Sequence, residues 1–282
     1  MRTFPFAGRV FAFARPIIAS AIGAFGLGAA PLPAPAADAG LSAKLVIVGR
    51  AGTHAVEGAE QGITEAEQQG EFLGQRFELA TVATPDDVPA TGIAAILATG
   101  PQAEAAALAR RFPKVPVLNL AAGDDALRAA CIPNLLHVMP SASMRRDAIA
   151  QWRQHHPEAN VEALAWHPAF DKYAASQLNL RFEKRFKQPM DDAAWAGWAG
   201  VKLVTDSIAR IQQTDPAALL DALKTKLAFD GQKGSTLSFR PNGQLRQPLL
   251  ISDGPKILGE APVRGVADPD ELDSLGDSKC AP

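Results

Sequence analysis

Apolar strand-like runs that alternate with segments of helical period constrain this chain more than any other feature. "AKLVIVG" (residues 43–49) is apolar except at its lysine, as strands buried on both faces read. The segment after it, "HAVEGAEQGITEAEQQG", puts Val56, Ala59, Ile63 and Ala66 on one helical face. "RFELATV" (76–82) and "GIAAILATG" (92–100) read as two further strands. "PQAEAAALARRF" (101–112) reads as a helix with Ala105, Leu108 and Phe112 in line, and "VPVLNLA" (115–121) as a fourth strand. This alternation predicts an α/β fold, a parallel sheet with helices on both faces. Ligands of such sheets bind at the carboxyl ends of the strands, near the point where strand order reverses. The candidate positions are therefore Arg50, Thr53 and His54 after the first strand, Thr99 and Gly100 after the third, and Asn119, Ala121 and Ala122 after the fourth.

Known chemical signatures are absent. "GRAG" (49–52) lacks the third glycine of a dinucleotide fingerprint, and no G-x-S-x-G, H-E-x-x-H or Walker sequence occurs, so nothing marks an enzyme, a resident cofactor or a metal site. His155 and His156 end the helical segment "SMRRDAIAQWRQHH", where a dipole contact explains them better than metal ligation. His54, at a predicted helix start, reads equally as a ligand contact or as a capping or surface histidine. The formal net charge of −2 offers no basic footprint for nucleic acid.

Residues 1–39 read as a cleaved secretory signal: Arg2, Arg9 and Arg15 precede the apolar run "PIIASAIGAFGLGAA", and small-residue cleavage sites follow at Ala34–Ala36 and Ala37–Ala39. With no arginine pair ahead of the run and no cysteine close behind it, the expectation is a soluble protein beyond the inner membrane. In an oxidising compartment the chain's two cysteines, Cys131 and Cys280, are either a disulfide or two separate thiols. The disulfide is the expectation, because it would tether a closing segment rich in proline, glycine and aspartate that should otherwise be mobile.

Past residue 160 the pattern turns helical. "VEALAWHPAF" suggests a short strand leading into a helix over 168–187 that carries Ala174, Leu178, Phe182 and Phe186 every fourth residue. "MDDAAWAGWAGVKLVTDSIARI" starts at Asp191 or Asp192 and lines up Ala194, Trp198, Val201, Thr205 and Ile208. Asp215-Pro216 caps a last helix with Leu219, Leu220 and Leu223. "FDGQKGSTLSFRPNGQLRQPLLI" (229–251) then reads as a β-hairpin turned at Pro-Asn-Gly.

This order, with "AAWAGWAGVKLVTDSIAR", "DPAALLDALKT" and "FDGQKGSTLSFRPNGQ", resembles the type I periplasmic solute-binding proteins of the branched-chain amino-acid class. The strings "LRAACIPNLLHVMPSASMRRDAIAQW" and "LSFRPNGQLRQPLL" are similar to a subgroup that accompanies quinoprotein alcohol dehydrogenases dependent on pyrroloquinoline quinone (PQQ). The resemblance implies two α/β lobes around a small ligand, no catalysis, and a hairpin belonging to the second lobe and the crossing region. It implies a periplasmic binding component of an ABC-type transport system, with membrane subunits or a periplasmic quinoprotein dehydrogenase as partners. The implied ligand is an amino acid, an aromatic acid or PQQ, its carboxylate held near Thr99, Ala121 and Ala122. Between the helix ending near Trp152 and the strand at Val161 there is only "RQHHPEANV", where each strand–helix unit of a full second lobe needs at least ~30 residues. The expectation is a first lobe over 40–155, a remnant of the second over 156–190, helices returning over 191–228, the hairpin over 229–254 and a tail over 255–282. A shortened second lobe leaves a site open on one side, with Trp166 and Tyr173 at the junction as further candidate contacts, and it leaves an accessory or adaptor role without ligand as the alternative.

Overall fold

A computed structural model describes residues 40–277 and 279–280; the signal segment read over 1–39 lies outside the described residues. Five strands, β1 (Leu41–Val48), β2 (Gln75–Val82), β3 (Ala95–Ala98), β4 (Val117–Asn119) and β5 (Leu135–His137), form one sheet in the order β2-β1-β3-β4-β5. Every pairing in it is parallel. The strand order reverses between β1 and β3. Helices α1 (His54–Leu73), α2 (Gln102–Arg111), the short α3 (Asp125–Ala129) and α4 (Ala142–Arg153) connect or follow these strands. Leu45 and Ile47 face one apolar cluster and Val46 and Val48 the other, so the uninterrupted run "LVIV" is covered on both faces.

The predicted helix of "AAWAGWAGVKLVTDSIAR" is α6 (Asp192–Ile211), started by the Asp191 carboxylate, which accepts from the Ala194 amide at 2.9 Å. Its in-line residues Ala194, Trp198, Val201, Thr205 and Ile208 are all buried. It lies against α1 at backbone-to-backbone distance, because glycine stands at the crossing in both helices. A methyl group on Gly58 would overlap the Ala194 carbonyl, and one on Gly197 would overlap the Ala55 carbonyl. Helix α7 (Pro216–Thr225) follows, capped by Asp215.

A second sheet of three antiparallel strands has the order β10-β9-β6, from β6 (Glu162–Leu164), β9 (Leu249–Ser252) and β10 (Ile257–Ala261). Helix α5 (Ala175–Phe186) follows β6. It begins later than the 168–187 expected, because Pro168 and the left-handed Tyr173 (φ 58°) keep the preceding residues in a loop. The chain passes between the two sheets three times: from α4 to β6, from α5 to α6, and from Arg246 to β9.

The expected single hairpin over 229–254 is corrected. Strands β7 (Ser238–Phe239) and β8 (Leu245–Arg246) pair across the Pro-Asn-Gly turn, but the ladder stops there. Pro248 has no amide proton to continue it, and the chain restarts as β9 in the other sheet. Of the stretch over 255–282 read as a tail, residues 257–276 hold β10 and pack on the body even apart from the disulfide. Leu272 and Leu275 are buried, Arg240 Nη2 donates to the carbonyls of both at 2.6 Å, and the Gly276 amide donates to Asp147. Cys131 and Cys280 are joined, with Cα atoms 5.6 Å apart. Among the described residues no helix is long and apolar enough to cross a membrane.

Candidate functional site

The strand ends where a ligand was expected are occupied by the protein's own groups. At the reversal between β1 and β3, the Thr99 hydroxyl donates to the Val48 carbonyl at 2.7 Å, and Gly49 is pressed so near it that an added methyl would meet that oxygen at 2.6 Å. Gly100 faces the Glu104 carboxylate, which stands in the first turn of α2, where a ligand's anionic group would gain from the helix dipole. Arg50, Thr53 and the glycine between them form an exposed turn, with the Thr53 hydroxyl donating to the Arg50 carbonyl. His54 is engaged at both ring nitrogens. Its Nδ1 lies 2.6 Å from the Asp191 carboxylate and its Nε2 2.9 Å from Gln188 Oε1, tying the start of α1 to the cap of α6.

Asn119, the last residue of β4, uses all of its side chain on its own loop. Its Oδ1 accepts from the amides of Ala121 and Ala122 at 3.2 and 2.9 Å, and its Nδ2 donates to the Ala122 carbonyl and to His137 Nδ1. Burial, reinforced by the nearby Arg128 charge, holds His137 well below the usual imidazole pKa. It is therefore neutral and able to accept from Asn119 at Nδ1. Beneath the loop, Arg128 donates to the carbonyls of Ala122, Asp124 and Met139 and to Gln244 Oε1. Burial brings the Arg128 guanidinium down to about 10, still charged at neutral pH. The two amides expected to receive a carboxylate are thus already satisfied, and the loop that carries them is clamped.

Trp166 and Tyr173 part company. Trp166 is 1% exposed, stacks on Trp195 at 6.0 Å between centroids, and donates its indole N–H to Asn179, leaving no face for a ligand. Its backbone amide donates to Asp192, which also accepts from Arg145 at 2.7 Å, while Arg145 donates to the Ala163 carbonyl. Tyr173 is 62% exposed and stands at the edge of a cleft of about 440 Å³ on the side of the second sheet.

That cleft is lined by Lys172, Tyr173, Lys233, Gly234, Glu260 and Arg264 among others. Lys233 is 3% exposed; its ammonium donates to Gln247 Oε1 at 2.7 Å and to the Pro248 carbonyl, and lies 4.0 Å above the Trp195 ring. Burial brings its pKa down to about 7 from the usual 10.5, with Asp192 opposing and Arg145 assisting. Glu260 is paired with Lys172, which raises the Lys172 pKa. Periodicity could not mark these residues: they come from three loops and β10, and only the cleft unites them. A smaller hollow of about 290 Å³ lies between Trp198, Lys202 and Phe229, where Lys202 is tied to Asp206 at 2.7 Å. Among the described residues no cluster of metal-ligating side chains occurs.

No protein-family model matches the chain, and no curated protein sequence matches it. Solved structures do. It is similar to a branched-chain amino acid ABC transporter periplasmic ligand-binding protein from Burkholderia xenovorans, with a TM-score of 0.68 and 12% identity over 86% of this chain and 99% of that one. It is similar to an ABC transporter substrate-binding protein from Desulfitobacterium hafniense in complex with leucine, with a TM-score of 0.60 and 12% identity over 77% and 98%. A solute-binding protein of an ABC transporter from Rhodopseudomonas palustris, in complex with 3,4-dihydroxybenzoic acid, gives 0.62 and 13% over 79% and 95%. At these identities the likeness is one of fold, and the five-stranded parallel sheet with its helices matches a lobe of a type I periplasmic binding protein.

Proposed function

We propose that this chain is the solute-binding component of an ABC-type transport system, exported to the periplasm by a cleaved signal peptide and serving quinoprotein alcohol oxidation. Its ligand is a small organic anion: an amino acid, an aromatic acid or PQQ. The observation that carries this reading is the fold likeness, over 77% and 79% of this chain, to solved proteins whose bound ligands are leucine and 3,4-dihydroxybenzoic acid. The link to alcohol oxidation rests on the sequence strings around residues 127–152 and 237–250.

A second reading, an adaptor that binds no ligand and contacts the dehydrogenase, is favoured by the filled strand ends at Glu104 and Asn119. Thermal unfolding of the exported protein with leucine, 3,4-dihydroxybenzoate or PQQ separates the two. A ligand of the native state raises the melting temperature with concentration, by about 2.7 kcal/mol of stability at a hundred times Kd. A rise with any of the three is expected. No rise with all three, together with co-purification of the dehydrogenase, would replace the solute-binding reading with the adaptor.

A further inference from the structure

We infer that the cleft between Tyr173, Gly234, Ser235 and Arg264 is a binding site for a small carboxylate with a planar body, separate from the strand-end groove. The inference rests on the solute-binding reading and locates its ligand. The cleft, about 440 Å³, falls within the range of small-molecule pockets, roughly 300–1,000 Å³. Its polar groups include several left free by the fold. The amides of Gly234 and Ser235 and the Ser235 hydroxyl donate to no acceptor among the described residues, and the Arg264 guanidinium has no carboxylate partner there. Gly234 is left-handed (φ 75°), and successive amides at such a residue form a concavity that favours an anion.

The charge around the cleft leaves a small positive excess. Lys172 is neutralised by Glu260, leaving Arg264 at the rim and the Lys233 amine in the floor against the exposed carboxylate of Asp270. An anion seated above Lys233 would favour its charged form, so binding should be accompanied by proton uptake near neutral pH. The planar body follows from Tyr173. Its backbone is held left-handed, unusual for a bulky residue, and its ring lies directly on Gly234, where any side chain would overlap it. One part of this aromatic surface thus closes the wall while much of the residue stays open to the cleft mouth, where a flat ligand can stack.

Tyr173 is the only tyrosine in the chain, so its ring resonances report on this cleft without assignment of any other residue. The full chain, labelled at tyrosine and with its disulfide intact, is titrated with 3,4-dihydroxybenzoate, and separately with sodium sulfate, while the melting temperature is followed in parallel. The expected result is a saturable shift of the Tyr173 signals with dihydroxybenzoate and none with sulfate at the same concentration. Arg264→Ala removes an exposed side chain that makes no hydrogen bond or ion pair among the described residues and should weaken the apparent Kd by about 10- to 100-fold, the loss of one charge-assisted hydrogen bond. A rise in melting temperature without any Tyr173 response would place the ligand elsewhere, overturning this site and leaving the solute-binding reading standing. An equal response to sulfate, or an unchanged Kd in Arg264→Ala, would also overturn it. Neither a shift nor a rise in melting temperature, extended to leucine and PQQ, would overturn both.

Discussion

Lys233→Met removes the one lysine amine buried in the junction between the sheets and should abolish a specific part of the protein's pH dependence. In the folded protein the Lys233 pKa is about 7, and in the unfolded chain it is near 10.5. Below pH 7 the ammonium is charged in both states, and the fold carries the whole cost of burying it, roughly 5 kcal/mol at 1.36 kcal/mol per tenfold change. Between pH 7 and 10.5 the unfolded chain holds more protons than the folded one, so stability rises with pH across this window. From pH 7 to pH 9.5 the integrated rise is roughly 3 kcal/mol. Urea denaturation of wild type and Lys233→Met at pH 6.5, 7, 8, 9 and 9.5 gives the difference directly, since titration of every other group cancels between them. The variant keeps an apolar chain on the Trp195 ring but loses the bonds to Gln247 and Pro248, so its stability at a single pH has no fixed sign; the slope does. Parallel pH profiles for the two proteins, within about 0.5 kcal/mol, would refute the reasoning.

Asn119→Ala should destabilise the protein by about 2–4 kcal/mol in urea, because it unmakes four bonds around the loop after β4, three of them buried, and leaves two amides without an acceptor; a loss below about 1 kcal/mol would mean that water replaces them. Gly197→Ala should lower the melting temperature strongly, since its methyl meets the backbone of α1 rather than a movable side chain, and an unchanged value would show that the two helices can separate at low cost. Cys131→Ala opens a covalent link between residues 149 apart in sequence, a loop whose closure contributes at most about 5 kcal/mol in the chain-entropy model. The measured loss should be smaller, because Arg240 and Asp147 still hold the closing segment, and complete unfolding at 25 °C would contradict that.

The parallel sheet was legible because its strands are buried on both faces and its helices keep a one-sided period; "LVIV" in β1 and the Ala194–Ile208 row of α6 leave little choice of structure. Elements of three to five residues were not legible. Strand β5 is three residues long and α3 five, too short for any period to register, and β10 is masked by Gly259 and Glu260 in "ILGEA". Gly259 is there because the Trp152 ring lies on it, a long-range reason that local pattern cannot carry. The strand-end residues lie along the carboxyl edge of the parallel sheet. What sequence could not supply was the direction of their polar atoms. Asn119 and Gly100 read as positions available to a ligand, and only the structure turns the first onto its own loop and sets the Glu104 carboxylate against the second. Lys233, Arg264 and Glu260 carried no signal, being scattered charges in segments read as hairpin and tail.

The way the two sheets are joined bears on how a ligand would be captured. Asp192, the first residue of α6, accepts from the Trp166 amide at 2.6 Å and from Arg145 at 2.7 Å, and Arg145 also donates to Ala163 in β6. Trp166 stacks on Trp195 directly beside this group. Rotation of one sheet against the other would have to break a partly buried, charge-assisted network and separate two indoles, whereas a hinge needs residues that absorb a backbone change at little cost. The arrangement therefore favours a fixed cleft over capture by domain closure. Small-angle scattering should give the same radius of gyration with and without saturating ligand. Asp192→Asn leaves Arg145 without its carboxylate and should destabilise the fold by about 1.5–3 kcal/mol, the usual loss of a hydrogen bond to a charged group at a partly exposed pair. In that variant, but not in the wild type, scattering should become ligand-dependent. A wild-type radius that contracts on binding would show that the Asp192 network opens and closes with the ligand, and the fixed-cleft argument would fail.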